Sequence, residues 1–425
     1  MTREEYLNTT GGQVHQRYKR LLKLVRFTVY QEPKGKNSSD EEKCKFRKQI
    51  HVQLREQNRR RFRGDILLQI DYYTTKNNPP EIQTLSKNYL DLLHKEMPHI
   101  DALKSILYDD DSQIKVLISN YHIDENNIKQ PRIEIKAYSM RHFLADIELV
   151  DKIISSDFSD SDYSLQLISE DIFKQKRFSS DSDYFDILAD LEEGKNDYCN
   201  FYGEQYYRVQ KDCLIRQIQE QFLQQNNLDI VDLLSIFQPF LPKNKKYSSA
   251  SNIQNIWSLS RNMISFSPSF LKVGNAPRHL GEKKIFKDNL EGLLNEFREK
   301  FKMLFPLLHP INVIIIFIPP LDRVVDLDNL ARYIIPFINK VFKPPTVVQL
   351  TYNVPLFHDL MGKEIDIQQN FPPHSVASYQ LVQVPRLWND PADGKIGVLF
   401  TDGFYHMNNI WQNLDDVIDK WVDNI

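Results

Sequence analysis

The segment Val325-Asp326-Leu327-Asp328-Asn329-Leu330 sets two carboxylates and an amide directly ahead of an apolar pattern with helical spacing. Asp326 and Asp328 are two apart, so on an extended stretch both project to the same side and can share one cation, while Asn329 sits where the chain turns into the helix. Mg²⁺ or Mn²⁺ suits such a pair. A hard cation of this kind takes one or two carboxylates and keeps several waters, leaving positions for a phosphate oxygen and an attacking water. Arg332, one turn into the helix, is placed to meet a phosphate on that face. An ordinary N-terminal cap accounts for Asn329 and for Asp328, but it leaves Asp326 unexplained. The chemistry expected of Asp326, Asp328 and Arg332 is metal-assisted cleavage of a phosphoester, with a third carboxylate still to be supplied.

A second acidic run, Asp109-Asp110-Asp111, lies ahead of a strand-like stretch, where a solvated turn is the plainer expectation. Cations cluster in Arg47, Lys48, Arg55, Arg59, Arg60, Arg61 and Arg63, interleaved with Phe46 and Phe62. Such a run is either a solvated helix face or a phosphate-contacting patch. The eleven histidines form no HExxH pair, and no glycine-rich phosphate loop is present among the 13 glycines. His94, His309 and His358 read as packing or surface residues.

The elements that must hold these groups alternate in type. Residues 45–63 read as a basic amphipathic helix, with Phe46, Ile50 and Leu54 on one face. Ile66, Leu68, Ile70 and Tyr72 alternate as in a strand, Leu85, Tyr89 and Leu92 return to helical spacing, and 115–121 and 132–138 read as further strands. Residues 155–197 are rich in Ser and Asp, and 198–266 in Gln, Leu and Ile, suggesting an acidic connector and a helical insert. Then the first order returns: a helix over 289–305, an apolar strand over 311–318, a Pro-Pro loop, the Asp326 motif with its helix, and strands near 378–384 and 397–400. An offset of 245 places Ile66 on Ile311, Tyr72 on Phe317, Glu81 on Asp326, Gln83 on Asp328 and Lys87 on Arg332. The expectation is an α+β chain of two mixed-sheet units in tandem, over 1–150 and 267–425, separated by 151–266.

Strand, Pro-containing loop, Asp-x-Asp-Asn-Leu and helix resemble the RusA-type Holliday junction resolvase family, which Asp326, Asp328, Asn329 and Leu330 match residue by residue. The resemblance implies that these aspartates, with another from an Asp-Asp pair after the helix, bind Mg²⁺ or Mn²⁺ and cut branched or structured DNA. In the first half Asp110 and Asp111 match that pair and Lys87 falls at the family's helix lysine, but Glu81 and Gln83 replace the first two aspartates. In the second half the place expected for Asp-Asp reads Val341-Phe342-Lys343-Pro344-Pro345-Thr346, with Asp359, Glu364, Asp366, Asp390 and Asp393 as possible substitutes. The family's two-fold dimers imply a covalent pseudo-dimer here. Separate sites in each half are then expected before one shared between them, and the alternative function is a catalytically inactive nucleic-acid-binding or scaffold module. Arg59, Arg60, Arg61, Arg63, Lys87 and Lys343 are the expected nucleic-acid contacts.

Composition sets outer bounds. A chain of 425 residues with 41% hydrophobic and 26% charged residues has ample material for a core. Its net charge of −3 confines any nucleic-acid surface to a local patch. Cys44, Cys199 and Cys213 form no CxxC pair, so a reducing, cytoplasmic setting without structural zinc is expected. No stretch has the apolar length of a membrane span.

Overall fold

The computed structural model describes residues 2–425 apart from 77–78, 104, 123–129, 158–185, 187–188, 228–270, 276, 278–279, 306, 323, 344–374, 385, 387–390, 404–408 and 424–425. In the first half the order is α1 (Arg3–Leu7), α2 (Thr10–Leu21), β1 (Val25–Val29), α3 (Asp40–Glu56), β2 (Ile66–Tyr73), α4 (Ile82–His94), β3 (Ile114–His122), β4 (Arg132–Ser139) and α5 (Met140–Asp157). Then come α6 (Lys195–Tyr202) and α7 (Glu204–Gln224). The second half contains β5 (Leu271–Gly274), α8 (Leu280–Lys300), β6 (Ile311–Ile318), α9 (Leu327–Val341), β7 (Val376–Gln383), β8 (Lys395–Asp402) and α10 (Ile410–Asp423).

The chain is α+β, and the strands among the described residues form one mixed eight-stranded sheet in the order β1-β4-β2-β3-β7-β6-β8-β5. Two separate sheets were expected; instead the halves fuse edge to edge, because β3 pairs antiparallel with β7 from Val116↔Val382 to Asn120↔Ser378. Either side of this seam the arrangement repeats. β2 runs parallel to β3 and antiparallel to β4, as β6 runs parallel to β7 and antiparallel to β8. Ile66 pairs with Ile114 and Ile311 with Val376, and both ladders shift register one residue later. The 245 offset therefore holds through β2 and β6, and the paired strands extend it to Ile114 and Val376.

Side chains alternate across the sheet as strand geometry requires. Ile66, Leu68, Ile70 and Tyr72, like Val313, Ile315 and Phe317, enter the core beneath α3, α4, α7, α8 and α9. Leu67, Ile314 and Ile316 enter the opposite core beneath α2, α5 and α10. With helices on both faces, all eight residues of β6 are buried. Each such Ile contributes roughly 1.5–3 kcal/mol by leaving water.

The basic helix differs from its sequence reading. It begins earlier, at Asp40, with a reciprocal cap between Ser39 and Glu42, and ends at Glu56. Asn58 then takes a left-handed φ of 53°, which stops the helix and sends Arg59–Arg63 into an extended loop. Arg47 is no surface cation. It is fully buried, bonded to Asp101 (2.8 Å) and to the carbonyls of Leu92, Lys95 and Leu103 (2.7–2.9 Å).

The insert differs too. α7 joins the core of the second half through Ile218, Phe222 and Leu223, and its Gln219 accepts a hydrogen bond from the Leu308 amide at 2.7 Å. The rest of the expected insert and most of the acidic connector lie outside the described residues, as do Asp359, Glu364, Asp366 and Asp390. No helix among the described residues is long and apolar enough to cross a membrane.

A candidate metal and phosphate site between the two halves

The apolar stripe Leu327, Leu330, Ala331, Ile334 and Ile338 seats α9 on the sheet, and Ile82, Leu85, Tyr89 and Leu93 do the same for α4. The two helices straddle the β3–β7 seam and touch each other. This juxtaposition brings Asp326 and Asp328 of the second half against Lys87 and Asp111 of the first.

Asp326 occupies the N-cap position of α9, yet its side chain caps no backbone amide. One of its oxygens instead accepts from the Asn329 side chain at 3.3 Å. Asp328 lies inside the first turn and is only 3% exposed. Its Oδ2 is 2.6 Å from Lys87 Nζ, and its Oδ1 has no hydrogen-bond partner among the described residues. No side-chain cap is made at the start of α9, so capping accounts for neither carboxylate. The open amides at the start of α9 favour negative charge there, whether carboxylate or phosphate.

The adjacent aspartates divide their roles. Asp110 is exposed and caps a single 3-10 turn (Asp111–Gln113), accepting from the Ser112 amide at 2.9 Å; hydrogen bonding by the Ser112 side chain, then by its amide, holds the carboxyl below the usual range. Asp111 turns inward. It accepts from the Tyr108 hydroxyl at 3.0 Å, lies 3.1 Å from His94 Nδ1, and is 3.3 Å from Lys87 Nζ. The acidic turn expected at 109–111 is therefore half right: Asp110 and Asp109 are exposed, and Asp111 is buried.

Lys87 Nζ touches Asp91 (3.1 Å), Asp111 and Asp328 together. Burial acts to discharge it, but the hydrogen bond and charge of Asp328, with Asp111 and Asp91, raise its pKa and keep it cationic. It is the counter-ion inside the cluster.

One ammonium does not balance this cluster. Asp91, Asp111, Asp326 and Asp328 gather around Lys87, and Lys95 adds a cation only on Asp91 (2.7 Å). Burial and the charges of Asp328, Asp111 and Asp110 push the Asp326 carboxyl up, and burial with the Asp328 charge pushes Asp111 up despite His94 and Lys87. Buried Asp71, elsewhere in the first half, shows the contrast. It is served by Gln69 (2.7 Å), Asn120 (2.7 Å) and His122 (3.1 Å), whose combined pull outweighs its burial and lowers its pKa. Negative charge at the seam is thus in excess, the condition a divalent cation relieves.

Asp91, His94 and Asp111 also offer ligand atoms within 4.8 Å of one another. His94 Nδ1, however, faces the Leu90 carbonyl at 3.0 Å as well as Asp111, so it is placed to donate a proton to acceptors. Asp326, Asp328 and Asp111 supply the all-oxygen donors a hard cation takes, but among the described residues it is the Asp91, His94 and Asp111 group, not this trio, whose ligand atoms lie within 4.8 Å of one another. Asp91, His94 and Tyr108 escaped the sequence reading, although Lys87, Asp91 and His94 at i, i+4 and i+7 mark one polar stripe on α4.

The remaining expected residues fall at various distances. Arg332 is exposed on α9. Lys343 lies beyond the far end of that helix, about 25 Å from Asp326 at about 1.5 Å per residue, and is too remote to clamp a phosphate there. Asp393 accepts from Asn275 at 3.4 Å.

Arg59–Arg63 adjoin the acidic turn. The Phe62 amide donates to the Leu107 carbonyl at 2.7 Å, Gln113 donates to the Gly64 carbonyl at 3.0 Å, and Arg61 pairs with Asp109 at 2.8 Å. Arg59 is tied to the Leu22 carbonyl, while Arg60 and Arg63 are exposed. Together with Lys23 and His142 they line an open groove of about 540 Å³.

No protein-family model, curated protein or solved structure matches the chain.

Proposed function

We propose that the chain is a RusA-like tandem protein acting as a Mg²⁺- or Mn²⁺-dependent endonuclease on branched or structured DNA, with one composite site built from both halves. The observation that carries this reading is the charge imbalance at the seam: three carboxylates touch Lys87, Asp326 adds a fourth charge beside them, and the buried Asp328 Oδ1 has no hydrogen-bond partner among the described residues. The repeated strand order fits the covalent pseudo-dimer that the resemblance implies.

In this reading Asp326, Asp328 and Asp111 hold the cation. The bound ion would supply Lewis acidity and lower the pKa of a water near the scissile phosphate. Lys87, kept protonated by its carboxylate neighbours, offers positive charge to a non-bridging oxygen. The first turn of α9 presents backbone amides to the same anion. Arg60, Arg63 and Lys23 steer the phosphate backbone toward the acidic turn, since exposed cations contribute a sequence-independent and salt-sensitive attraction.

The second reading, a non-catalytic resolvase-like nucleic-acid-binding or scaffold module, is favoured by one observation: Lys87 already bridges three of the carboxylates. Cleavage of a panel of junctions, flaps and duplexes with Mg²⁺ or Mn²⁺ separates the two. Wild type should cut a branched substrate and Asp328→Asn should not. Equal cleavage by both proteins, or by neither, defeats the nuclease reading.

A further inference from the structure

The pseudo-two-fold arrangement defines a second place where a site could stand, and its residues can be named from the register. The 245 offset sets Glu81 against Asp326, Gln83 against Asp328, Arg332 against Lys87, Pro336 against Asp91 and Asn339 against His94. Ile114 and Val376 are equivalent through their pairing with Ile66 and Ile311. Counting back three positions from each sets Pro373 against Asp111, so the counterpart of Asp109-Asp110-Asp111 in sequence is Phe371-Pro372-Pro373 and not the expected 341–346.

Of the four carboxylates, the register sets counterparts Glu81, Gln83, Pro336 and Pro373 at the second place, so Glu81 is the one acid among these equivalent positions. Its side chain is hydrogen-bonded by the buried Gln83 amide, so what remains there is a neutral donor serving one acid. The cationic loop is equally one-sided. Arg59-Arg60-Arg61-Phe62-Arg63 corresponds to Leu304-Phe305-Pro306-Leu307-Leu308, an apolar stretch whose Leu304 and Leu307 lie in the core.

From this asymmetry we infer that the protein makes a single cut per binding event, nicking the one strand that runs over the Arg59–Arg63 side, and does not make the paired cuts of a symmetric dimer. The inference rests on the metal-site reading above and adds the product: a one-strand nick from an enzyme with two-fold framework and one-fold chemistry.

A supercoiled plasmid with an extruded inverted repeat offers two symmetry-related phosphodiesters to one bound protein. With Mg²⁺ added alongside an excess of unlabelled junction as trap, the expected product is nicked circle, with linear DNA absent because it requires rebinding. Linear DNA formed at the same rate under the trap overturns the inference. Mn²⁺ binding followed by electron paramagnetic resonance provides a readout independent of cleavage. Asp328→Asn should abolish the bound signal, and Glu81→Gln should leave it unchanged. Mn²⁺ that persists in Asp328→Asn and disappears when Glu81→Gln is added overturns the inference. Should no substrate be cut while this Mn²⁺ pattern holds, the nuclease reading fails and the single-site assignment stands.

Discussion

Lys87 Nζ stands 2.6 Å from Asp328 Oδ2, joining α4 of the first half to α9 of the second through a pair whose side chains are 13% and 2% exposed. Removing one partner of such a pair leaves a buried charge uncompensated, at a cost of roughly 3–5 kcal/mol. Lys87→Met should therefore destabilise the fold by about 3 kcal/mol, and Lys87→Met with Asp328→Asn by less than Lys87→Met alone. Urea denaturation of the set checks this; an additive double variant would mean the two groups do not interact.

Mn²⁺ should stabilise the folded chain by linkage, by about 2.7 kcal/mol at one hundred times its dissociation constant. Asp111→Asn and Asp328→Asn should each remove most of the thermal shift, although they come from different halves. Asp110→Asn should retain it, because Asp110 serves as a cap. A shift that survives loss of Asp111 places the ion elsewhere.

Arg47 and Arg60 separate a structural arginine from a surface one. Arg47→Met should cost roughly 3–5 kcal/mol of stability, read as a lower denaturant midpoint, since it strips Asp101 of its counter-charge and three carbonyls of a donor. Arg60→Glu with Arg63→Glu should leave the midpoint nearly unchanged. The same pair should weaken junction binding in a fluorescence titration and flatten its dependence on salt, by a slope near one per lost phosphate contact. Unaltered affinity would remove the groove from the DNA path.

The helices of the opposite face carry their own titration. Burial, helped by Asp419 and Asp146 and opposed by Arg17, pushes the Asp415 carboxyl on α10 up to about 6. A raised carboxyl favours folding fully below its ordinary value of 3.8, and that contribution is lost as pH rises through about 6. Wild type should therefore lose stability between about pH 5 and about pH 7 (about one unit either side of the raised value), and Asp415→Asn should lose less. Its urea midpoints at the two pH values decide the matter; an identical loss in both proteins would acquit Asp415.

Much of the strand framework was visible beforehand because burial on both faces leaves a direct trace. Ile311–Ile318 is an unbroken apolar run in sequence and β6 occupies that span. The repeat was visible for the same reason, since apolar periodicity survives when identities do not. The approach of Asp111 to Asp328 was legible only as the lower-ranked alternative of a site shared between the halves. Asp111 and Asp328 are far apart in sequence and meet only through the β3–β7 seam, a pairing that neither strand's composition announces. Arg47 misled because a basic residue on an amphipathic helix looks solvated until Asp101 and three carbonyls are known to surround it. The polar stripe of α4 was readable in principle, but its charges are as common on solvated faces as on functional ones.

The seam between β3 and β7 also bears on why the halves share one chain. Expressed apart, each half would bare an edge strand, and bare edges pair readily with copies of themselves. Two first halves would bring Lys87 and Asp111 against Gln83, and two second halves would bring Asp326 and Asp328 against Arg332. Neither homodimer could assemble Asp111 with Asp328. Tethering acts as a matchmaker: it fixes a one-to-one ratio of complementary parts and guards the pairing against inert self-association.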